Sequence, residues 1–243
     1  MGPLSLLCVT RYGVDTQKGK RADGVYVPRP RLDRKGGSVG VAQASVVVFD
    51  IGRVLVQWRI ANLYEKLIPD SARLDWFLSN VVTESWHAQH DAGRPFADMI
   101  AELVAEYPDE RALIEAYAPR WLETVPAPVD GTADLVEALA AKGVPLYCIT
   151  NFGVDAWGMF RPTFPVLDHF RDIVVSGHEK LIKPDPAIFH LAAQRFGHAP
   201  ETMLFIDDNA DNIATAKALG WHTHHFVDGA EALAQDLRGR GLI

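Results

Sequence analysis

Side chains that can do chemistry stand at the ends of several short apolar runs in the sequence. They are Asp50, Thr150 with Asn151, Lys183 a short loop beyond its run, and Asp207 with Asp208. A lone Asp after a strand is usually a turn former or a helix cap. An acid, a hydroxyl, a cation and an acid pair at successive run ends exceed what turns require, so we interpret them as one site.

Carboxylates gathered at one edge of a sheet repel one another unless a cation lies between them. Hard oxygen ligands favour Mg²⁺, which keeps several waters and binds substrate phosphate, and Lys183 adds a second positive group. With its charge screened, Asp50 can attack phosphorus and form a covalent aspartyl-phosphate. Thr150 and nearby backbone N–H groups would hold the phosphoryl oxygens. These residue types predict a magnesium-dependent reaction on a phosphate ester.

The elements that must position these side chains follow from the hydrophobic pattern. The apolar runs predict strands at residues 46–49, 146–149, 173–175 and 203–206, with a weaker one at 222–227. Runs of this length are typical of strands buried on both faces of a parallel sheet. Helical patterns alternate with them, at residues 131–142, 186–196 and 211–219. The alternation predicts a doubly wound α/β domain with its site at the carboxyl ends of the strands.

The long separation between Asp50 and Thr150 predicts an inserted domain. Residues 62–125 carry several amphipathic helical patterns broken at prolines, so we interpret them as a helical cap on an α/β core of residues 46–61 and 126–243. Residues 1–45 are rich in Gly, Lys, Arg and Asp without a sustained period. We interpret them as a disordered leader or a misassigned start, with a basic targeting extension as the alternative.

Four short segments stand out as motifs: Phe49 to Leu55, Ile149 to Asn151, Lys183 to Pro186, and Phe205 to Asn212. In order and spacing they resemble the four motifs of the haloacid dehalogenase-like superfamily, across about residues 46–230. The resemblance implies a Rossmannoid doubly wound parallel sheet with an inserted helical cap. Within the superfamily, the chain is similar in texture to the small-sugar phosphatases that resemble alpha-glucose-1-phosphate phosphatase.

The resemblance also implies roles for individual residues, which fall into three overlapping groups. The catalytic group is Asp50 as nucleophile with Lys183 and Thr150. The candidate substrate contacts are Thr150, Asn151, Lys183, Gly52 and Arg53, although Arg53 could equally face solvent. The candidate Mg²⁺ ligands are Asp50, the Gly52 carbonyl, Asp207 and Asp208.

Position 52 departs from the common phosphatase motif, which has a second Asp there as general acid and base. Gly52 has no side chain to protonate the leaving oxygen or activate water, a contribution typically worth about 10²–10⁴-fold. We hypothesise that the cap supplies this group from residues 86–94, on a loop between cap helices. The candidates there are His87, His90, Asp91 and Arg94. A plain polar helix end closed by Gly93 is the alternative.

Two other functions are compatible with parts of the pattern. A 2-haloacid dehalogenase also uses an Asp nucleophile and a helical cap, but it needs no divalent metal, and the Asp207–Asp208 pair argues against it. A non-catalytic binding protein of the same fold would explain the missing second Asp. The retained Asp50, Lys183 and acid pair argue against that reading.

The net charge of −7 is unevenly distributed along the chain. Residues 1–45 hold eight Lys and Arg against three Asp, which leaves sixteen basic and twenty-eight acidic residues in 46–243. A net-negative domain repels nucleic acid and anionic membranes, so the expected partner is a small phosphate ester. Widely spaced Cys8 and Cys148, and the lack of a secretory signal or a bilayer-spanning apolar run, lead us to expect a cytoplasmic protein. Monomer and homodimer fit the sequence equally well.

Overall fold

The computed structural model describes residues 43–243. The leader prediction for residues 1–42 lies outside the described residues. Within the described part, Ala44 is already buried and the Ser45 N–H donates to the Thr202 carbonyl at 2.9 Å. The first described residues therefore pack against the α/β core.

A five-stranded parallel sheet forms the centre of the fold. Its strands are β1 (Val46–Phe49), β2 (Leu146–Thr150), β3 (Asp172–Val175), β4 (Met203–Asp207) and β5 (His222–His225). They lie in the order β3-β2-β1-β4-β5, and each neighbouring pair is parallel. The predicted strands and the doubly wound α/β class are confirmed. This order places β1 in the middle, with β2 and β4 on either side of the residue that follows it.

Eleven α-helices flank or extend the sheet in the described part of the chain. The α-helices after β1 are α1 (Ala61–Tyr64), α2 (Ser71–Asn80), α3 (Glu84–Asp91), α4 (Phe96–Glu106), α5 (Arg111–Glu115) and α6 (Thr132–Ala141). Those that follow β2 are α7 (Val154–Phe160), α8 (Ser176–Glu179), α9 (Pro186–Phe196), α10 (Ala210–Ala218) and α11 (Gly229–Gly239). The helices predicted at residues 131–142, 186–196 and 211–219 correspond to α6, α9 and α10. None of these helices is long and apolar enough to cross a membrane.

Both faces of the sheet are covered, which explains why the strands are continuous apolar runs. Val47 and Phe49 of β1 face one apolar cluster, and Val46 and Val48 face the other. All four residues of β1 are essentially inaccessible. The central strand is therefore a rigid base for the residue at its carboxyl end.

The insertion between β1 and α6 is helical, as the cap prediction expected, while its exact bounds of 62–125 stay a prediction. The interpretation of residues 86–94 as a loop is wrong for most of the segment, since α3 continues through Asp91. The Thr83 side chain caps this helix by accepting from the Trp86 N–H at 3.0 Å. Gly93, at a φ of +102°, follows its end. The sequence pattern is polar here because His87 and His90 count as polar residues. In the structure both are buried and form part of the inward face of the helix.

Candidate active site

A buried lysine bridges two acids at the carboxyl ends of β1 and β4. The Lys183 Nζ lies 2.9 Å from Asp50 Oδ1 and 2.7 Å from Asp207 Oδ2. The side chains of Lys183, Asp50 and Asp207 are only 1%, 11% and 0% exposed. The acids are neighbours because β1 and β4 pair in parallel register. The structure thus brings together three residues that the sequence predicted at separate strand ends.

Asp207 has hydrogen-bond donors on both of its carboxylate oxygens. Besides Lys183, the Asn212 Nδ2 donates to both oxygens at 3.0 Å, and the Asn209 N–H donates to Oδ1 at 2.8 Å. Such a fully partnered buried carboxylate is fixed in orientation. Its firmest role is to hold the Lys183 ammonium beside Asp50, and the predicted role of Asp207 as a metal ligand stays a prediction.

Asn151 fixes the backbone of Lys183. Its Nδ2 donates to the Lys183 carbonyl at 3.0 Å, and its Oδ1 accepts from the Lys183 N–H at 2.9 Å. This reciprocal pair ties the end of β2 to the loop that carries the lysine. Asn151 also lines the pocket above Asp50. It therefore positions Lys183 and, in addition, lies where the sequence predicted a substrate contact.

Thr150 carries a buried hydroxyl that no described residue satisfies. The residue is 1% exposed, and its Oγ1 has no hydrogen-bond partner among residues 43–243. An unpaired buried hydroxyl is unfavourable by about 1–3 kcal/mol. Unsatisfied polar atoms of this kind are concentrated at functional sites. The arrangement fits the prediction that Thr150 hydrogen-bonds an oxygen of a bound ligand.

The pKa values of Asp50 and Lys183 are both raised above their ordinary values, with different consequences for their charge at neutral pH. Burial raises the pKa of Asp50 to about 7, although Lys183 opposes the rise. Burial alone would lower the pKa of Lys183, but the charges of Asp207 and Asp50 outweigh it and hold that pKa above its usual value. Lys183 therefore stays cationic at neutral pH, and Asp50 needs further positive charge nearby to be fully ionised there.

Three carboxylates are close enough together to hold one metal ion. Oxygen atoms of Asp50, Asp207 and Asp208 all lie within 4.8 Å of one another. Burial, and next the charge of Asp207, raise the pKa of Asp208. A hard divalent cation suits this all-oxygen set and would relieve the mutual repulsion of the acids. Gly52, the remaining predicted ligand, lines the same pocket.

Arg53 stands at the rim of the site. Its Nη2 lies 2.5 Å from Glu84 Oε1 on α3, and its guanidinium lies 5.0 Å from the centroid of the Trp58 ring. The residue has a φ of +58° and its side chain is 42% exposed. Arg53 lines the pocket, as expected for a predicted substrate contact. Its guanidinium is already paired with Glu84 of the cap.

Core residues and residues of the insertion line the pocket above Asp50 together. The core contributes polar side chains, among them Asn151, Lys183, Asp208 and Asn212. The insertion contributes His87 and Asp91 of α3 together with Trp121, and Trp58 and Phe152 are further aromatic residues of the lining. The pocket therefore offers both charged groups and aromatic surface to a ligand.

Of the four candidates at residues 86–94, only His87 and Asp91 line the pocket. His90 is buried at the contact between α3 and the core, where its Nε2 accepts from the Ala156 N–H at 3.3 Å. Arg94 pairs with Glu102 on the surface, 2.7 Å away. Sequence reasoning missed Asn212, which stands within the fourth motif, and Tyr117, whose hydroxyl lies 2.9 Å from the Nδ1 of the pocket residue His87. Nothing in the sequence singles out Tyr117.

A family model described as haloacid dehalogenase-like hydrolase matches residues 44–220. Phosphoglycolate phosphatase of Escherichia coli K12 is 34% identical over 88 residues, which are 36% of this chain and 35% of that protein. Mouse acyl-CoA dehydrogenase family member 10 is 35% identical over 105 residues, 42% of this chain and 9% of that protein. The chain thus matches about a third or less of the length of these curated relatives.

Solved structures with the same fold include haloacid dehalogenase-like family enzymes and dehalogenases. A predicted haloacid dehalogenase-like hydrolase from Porphyromonas gingivalis aligns with a TM-score of 0.65 at 21% identity, covering 81% of this chain and 99% of that one. A family enzyme from Bacteroides thetaiotaomicron, in complex with magnesium and inorganic phosphate, has a TM-score of 0.58 at 22% identity and covers 74% and 93%. The L-2-haloacid dehalogenase of Xanthobacter autotrophicus has a TM-score of 0.56 at 18% identity and covers 82% and 84%.

With most of its described residues matched by the family model and the motif residues gathered in one pocket, the chain belongs to the haloacid dehalogenase-like hydrolases.

Proposed function

We propose that the protein is a magnesium-dependent phosphomonoesterase that hydrolyses a small phosphorylated metabolite, such as a sugar phosphate, through an aspartyl-phosphate on Asp50. The observation that carries the proposal is the cluster of Asp50, Asp207 and Asp208 oxygens within 4.8 Å of one another. Lys183 supplies one positive charge among these acids, and a divalent cation would offset the repulsion that remains. The phosphatase relative and the neighbour with bound magnesium and phosphate support the same reading.

The residues of the chain divide the work of the reaction. Asp50 attacks phosphorus, while Lys183, fixed by Asp207 and by the Asn151 backbone pair, lies where a phosphoryl oxygen would be neutralised. The unpartnered Thr150 hydroxyl donates to another oxygen. Magnesium held by Asp50, Asp208 and the Gly52 carbonyl would supply positive charge for the acids and for the phosphoryl group. Water then hydrolyses the aspartyl-phosphate and releases Asp50 and inorganic phosphate.

The aromatic residues of the pocket support an organic group of modest size on the substrate. Trp58 and Trp121 line it, and the Trp58 Nε1 is buried without a partner among residues 43–243. An indole can stack on a sugar ring or an aliphatic chain and donate one hydrogen bond to an oxygen. This combination favours a phosphate ester that carries both apolar surface and hydroxyl or carboxylate oxygens.

The test is phosphate release from a panel that contains sugar phosphates, 2-phosphoglycolate and 4-nitrophenyl phosphate, with Mg²⁺ and with EDTA. We expect release with Mg²⁺, loss with EDTA, and loss in Asp50→Asn. Asp134→Asn is the matched control, because Asp134 is an exposed acid of the core at the start of α6. It should leave turnover unchanged.

Chloride release from 2-chloropropionate is measured in parallel. EDTA-insensitive chloride release without phosphate release would replace the phosphatase by a dehalogenase. Silence of the wild-type protein on all substrates would support a non-catalytic binding protein instead.

A further inference from the structure

The proposed reaction needs a proton at a point where the core supplies none. When Asp50 attacks phosphorus, the ester oxygen departs as an alkoxide unless an acid protonates it. The residue two positions after Asp50 is Gly52, which has no side chain. A positioned acid is typically worth about 10²–10⁴-fold in rate, so a pocket without one would handle only esters with good leaving groups.

Asp91, the last residue of α3, places a carboxyl group in this pocket. It lines the pocket together with Asp50 and Lys183, and its side chain is only 15% exposed. It comes from the cap, whereas Asp50 and Lys183 belong to the core. A protonated carboxyl in the same pocket as the nucleophile is a candidate source of the proton that the leaving oxygen needs.

The end of α3 is fixed to the core, so Asp91 does not depend on cap closure for its position. The Ser176 Oγ donates to the Asp91 carbonyl at 2.6 Å and accepts from the Phe152 N–H at 2.9 Å. The preceding residue, His90, is packed so closely against Gly153 that a Cβ at position 153 would lie 2.0 Å from its ring. The helix end is therefore anchored to the loop that follows β2.

The carboxyl group of Asp91 has partners of its own. It takes a hydrogen bond from the Gly153 backbone, and the His87 Nε2 lies 3.5 Å from Oδ1. On its other side, the His87 Nδ1 lies 2.9 Å from the Tyr117 hydroxyl. Burial lowers the pKa of His87 to about 3, so the imidazole is neutral. If the Tyr117 hydroxyl donates to Nδ1, the His87 proton sits on Nε2, toward Asp91.

We propose that Asp91 is the general acid–base catalyst of this enzyme, supplied by the cap in place of a side chain at position 52; the proposal rests on the phosphatase function proposed above. In the first step an Asp50 oxygen bonds to phosphorus, the ester P–O bond breaks, and the Asp91 carboxyl gives its proton to the leaving oxygen, which departs as the alcohol. In the second step the Asp91 carboxylate takes a proton from water as that water attacks phosphorus. Asp50 and inorganic phosphate are released, and Asp91 is protonated again.

The surroundings of Asp91 agree with a group that exchanges a proton near neutrality. Burial raises its pKa to about 7, the Gly153 hydrogen bond lowers it, and the charge of Asp50 raises it further. The titratable groups near it are Asp50 and Lys183 from the core, His87 from its own helix and Tyr117 from elsewhere in the cap. Asp91 is thus able to hold a proton for the first step and lose it for the second.

The test separates the two steps by the choice of leaving group in Asp91→Asn. 4-Nitrophenyl phosphate needs no acid for the first step, so the variant should give a burst of one 4-nitrophenol per chain at the wild-type rate. Steady turnover should then fall by about 10²–10⁴-fold, because water is no longer activated. With the alkyl phosphate that the wild type hydrolyses best, the variant should show no burst. Asp98→Asn is the matched control, an exposed acid on α4 of the same cap.

The burst amplitude counts folded active sites, so a damaged variant is recognised directly. If Asp91→Asn gave no burst with 4-nitrophenyl phosphate, Asp91→Glu would decide. Turnover of the alkyl phosphate by that variant would support the proposal, and none would overturn it. Steady turnover of Asp91→Asn within about threefold of wild type, or equal slowing of the first step for both esters, would overturn the role of Asp91 while leaving the phosphatase intact. A wild-type protein that released no phosphate from any ester would overturn both.

Discussion

In the metal-free protein, replacing Asp91 by Asn should raise the free energy of unfolding relative to wild type, and this gain should be larger at alkaline pH than at acidic pH. Burial raises the pKa of Asp91 from an ordinary 3.8 to about 7 in the folded protein. A carboxyl with a raised folded pKa binds its proton more tightly when folded than when unfolded. Its unfavourable contribution to stability therefore begins as the pH rises above the unfolded value and is complete above the folded one.

The magnitude follows from the separation of those two values. Each pH unit between them is worth about 1.4 kcal/mol. Between pH 5 and pH 8 the penalty from Asp91 should therefore grow by about 2.5 kcal/mol. An Asn side chain has nearly the same shape and carries no charge, so the free energy of unfolding of Asp91→Asn relative to wild type should rise by that amount over the same range. Part of the absolute gain is lost because an amide has one acceptor oxygen, where the carboxylate offers two to the Gly153 backbone and the His87 Nε2.

The assay is urea unfolding in EDTA at pH 5, 6, 7 and 8, with the difference between variant and wild type taken at each pH so that titrating groups that do not interact with Asp91 cancel. Asp98→Asn, at an exposed position in the cap, should give a difference that does not change with pH. A pH-independent difference for Asp91→Asn, or one that falls toward pH 8, would refute the reasoning that Asp91 is buried with a raised pKa.

Further substitutions test the rest of the site. Lys183→Met leaves two buried acids without their cation, so we expect a loss of about 3–5 kcal/mol in unfolding free energy and no phosphate release; equal stability to wild type by urea unfolding would contradict this. Gly153→Ala drives a Cβ into the buried ring of His90 and should cost about 1–3 kcal/mol, measured against Gly158→Ala, where a Cβ meets nothing within 4 Å. A Cβ at Gly52 also meets nothing within 4 Å, so Gly52→Asp should be tolerated. In the Asp91→Asn background it should recover alkyl phosphate turnover, and a double variant no faster than Asp91→Asn alone would contradict the idea that the two positions serve one role.

The sheet and the acidic end of the site could be predicted because local sequence determines them. A strand buried on both faces must be apolar throughout, and the polar residue after it marks its end, as Phe49 and Asp50 illustrate. Parallel pairing then brings those ends together without any further information. The same logic placed Lys183 near Asp50, since its loop leaves the carboxyl edge of the sheet.

The cap side of the site could not be predicted to the same depth. His87 and His90 made residues 86–94 look like a polar loop, yet both are buried, because their ring nitrogens are satisfied by Tyr117 and by the Arg94 carbonyl. Tyr117 is 30 residues away from His87 in the sequence. The Arg94 carbonyl is near His90 in the sequence, but it meets the ring only when the helix has a particular rotation about its axis. The orientation of a helix end over a pocket follows from tertiary packing, which a pattern of residue types does not encode.

The Ser176 hydroxyl joins the end of α3 to the loop after β2 through one shared atom. Any displacement of that loop, which also carries the Asn151 contact to Lys183, is therefore transmitted directly to Asp91. Separation of the loop from the helix end requires the loss of at least one of these two hydrogen bonds. At the rim of the pocket, the exposed side chains of Arg53 and Glu84 can part while both bonds of Ser176 remain.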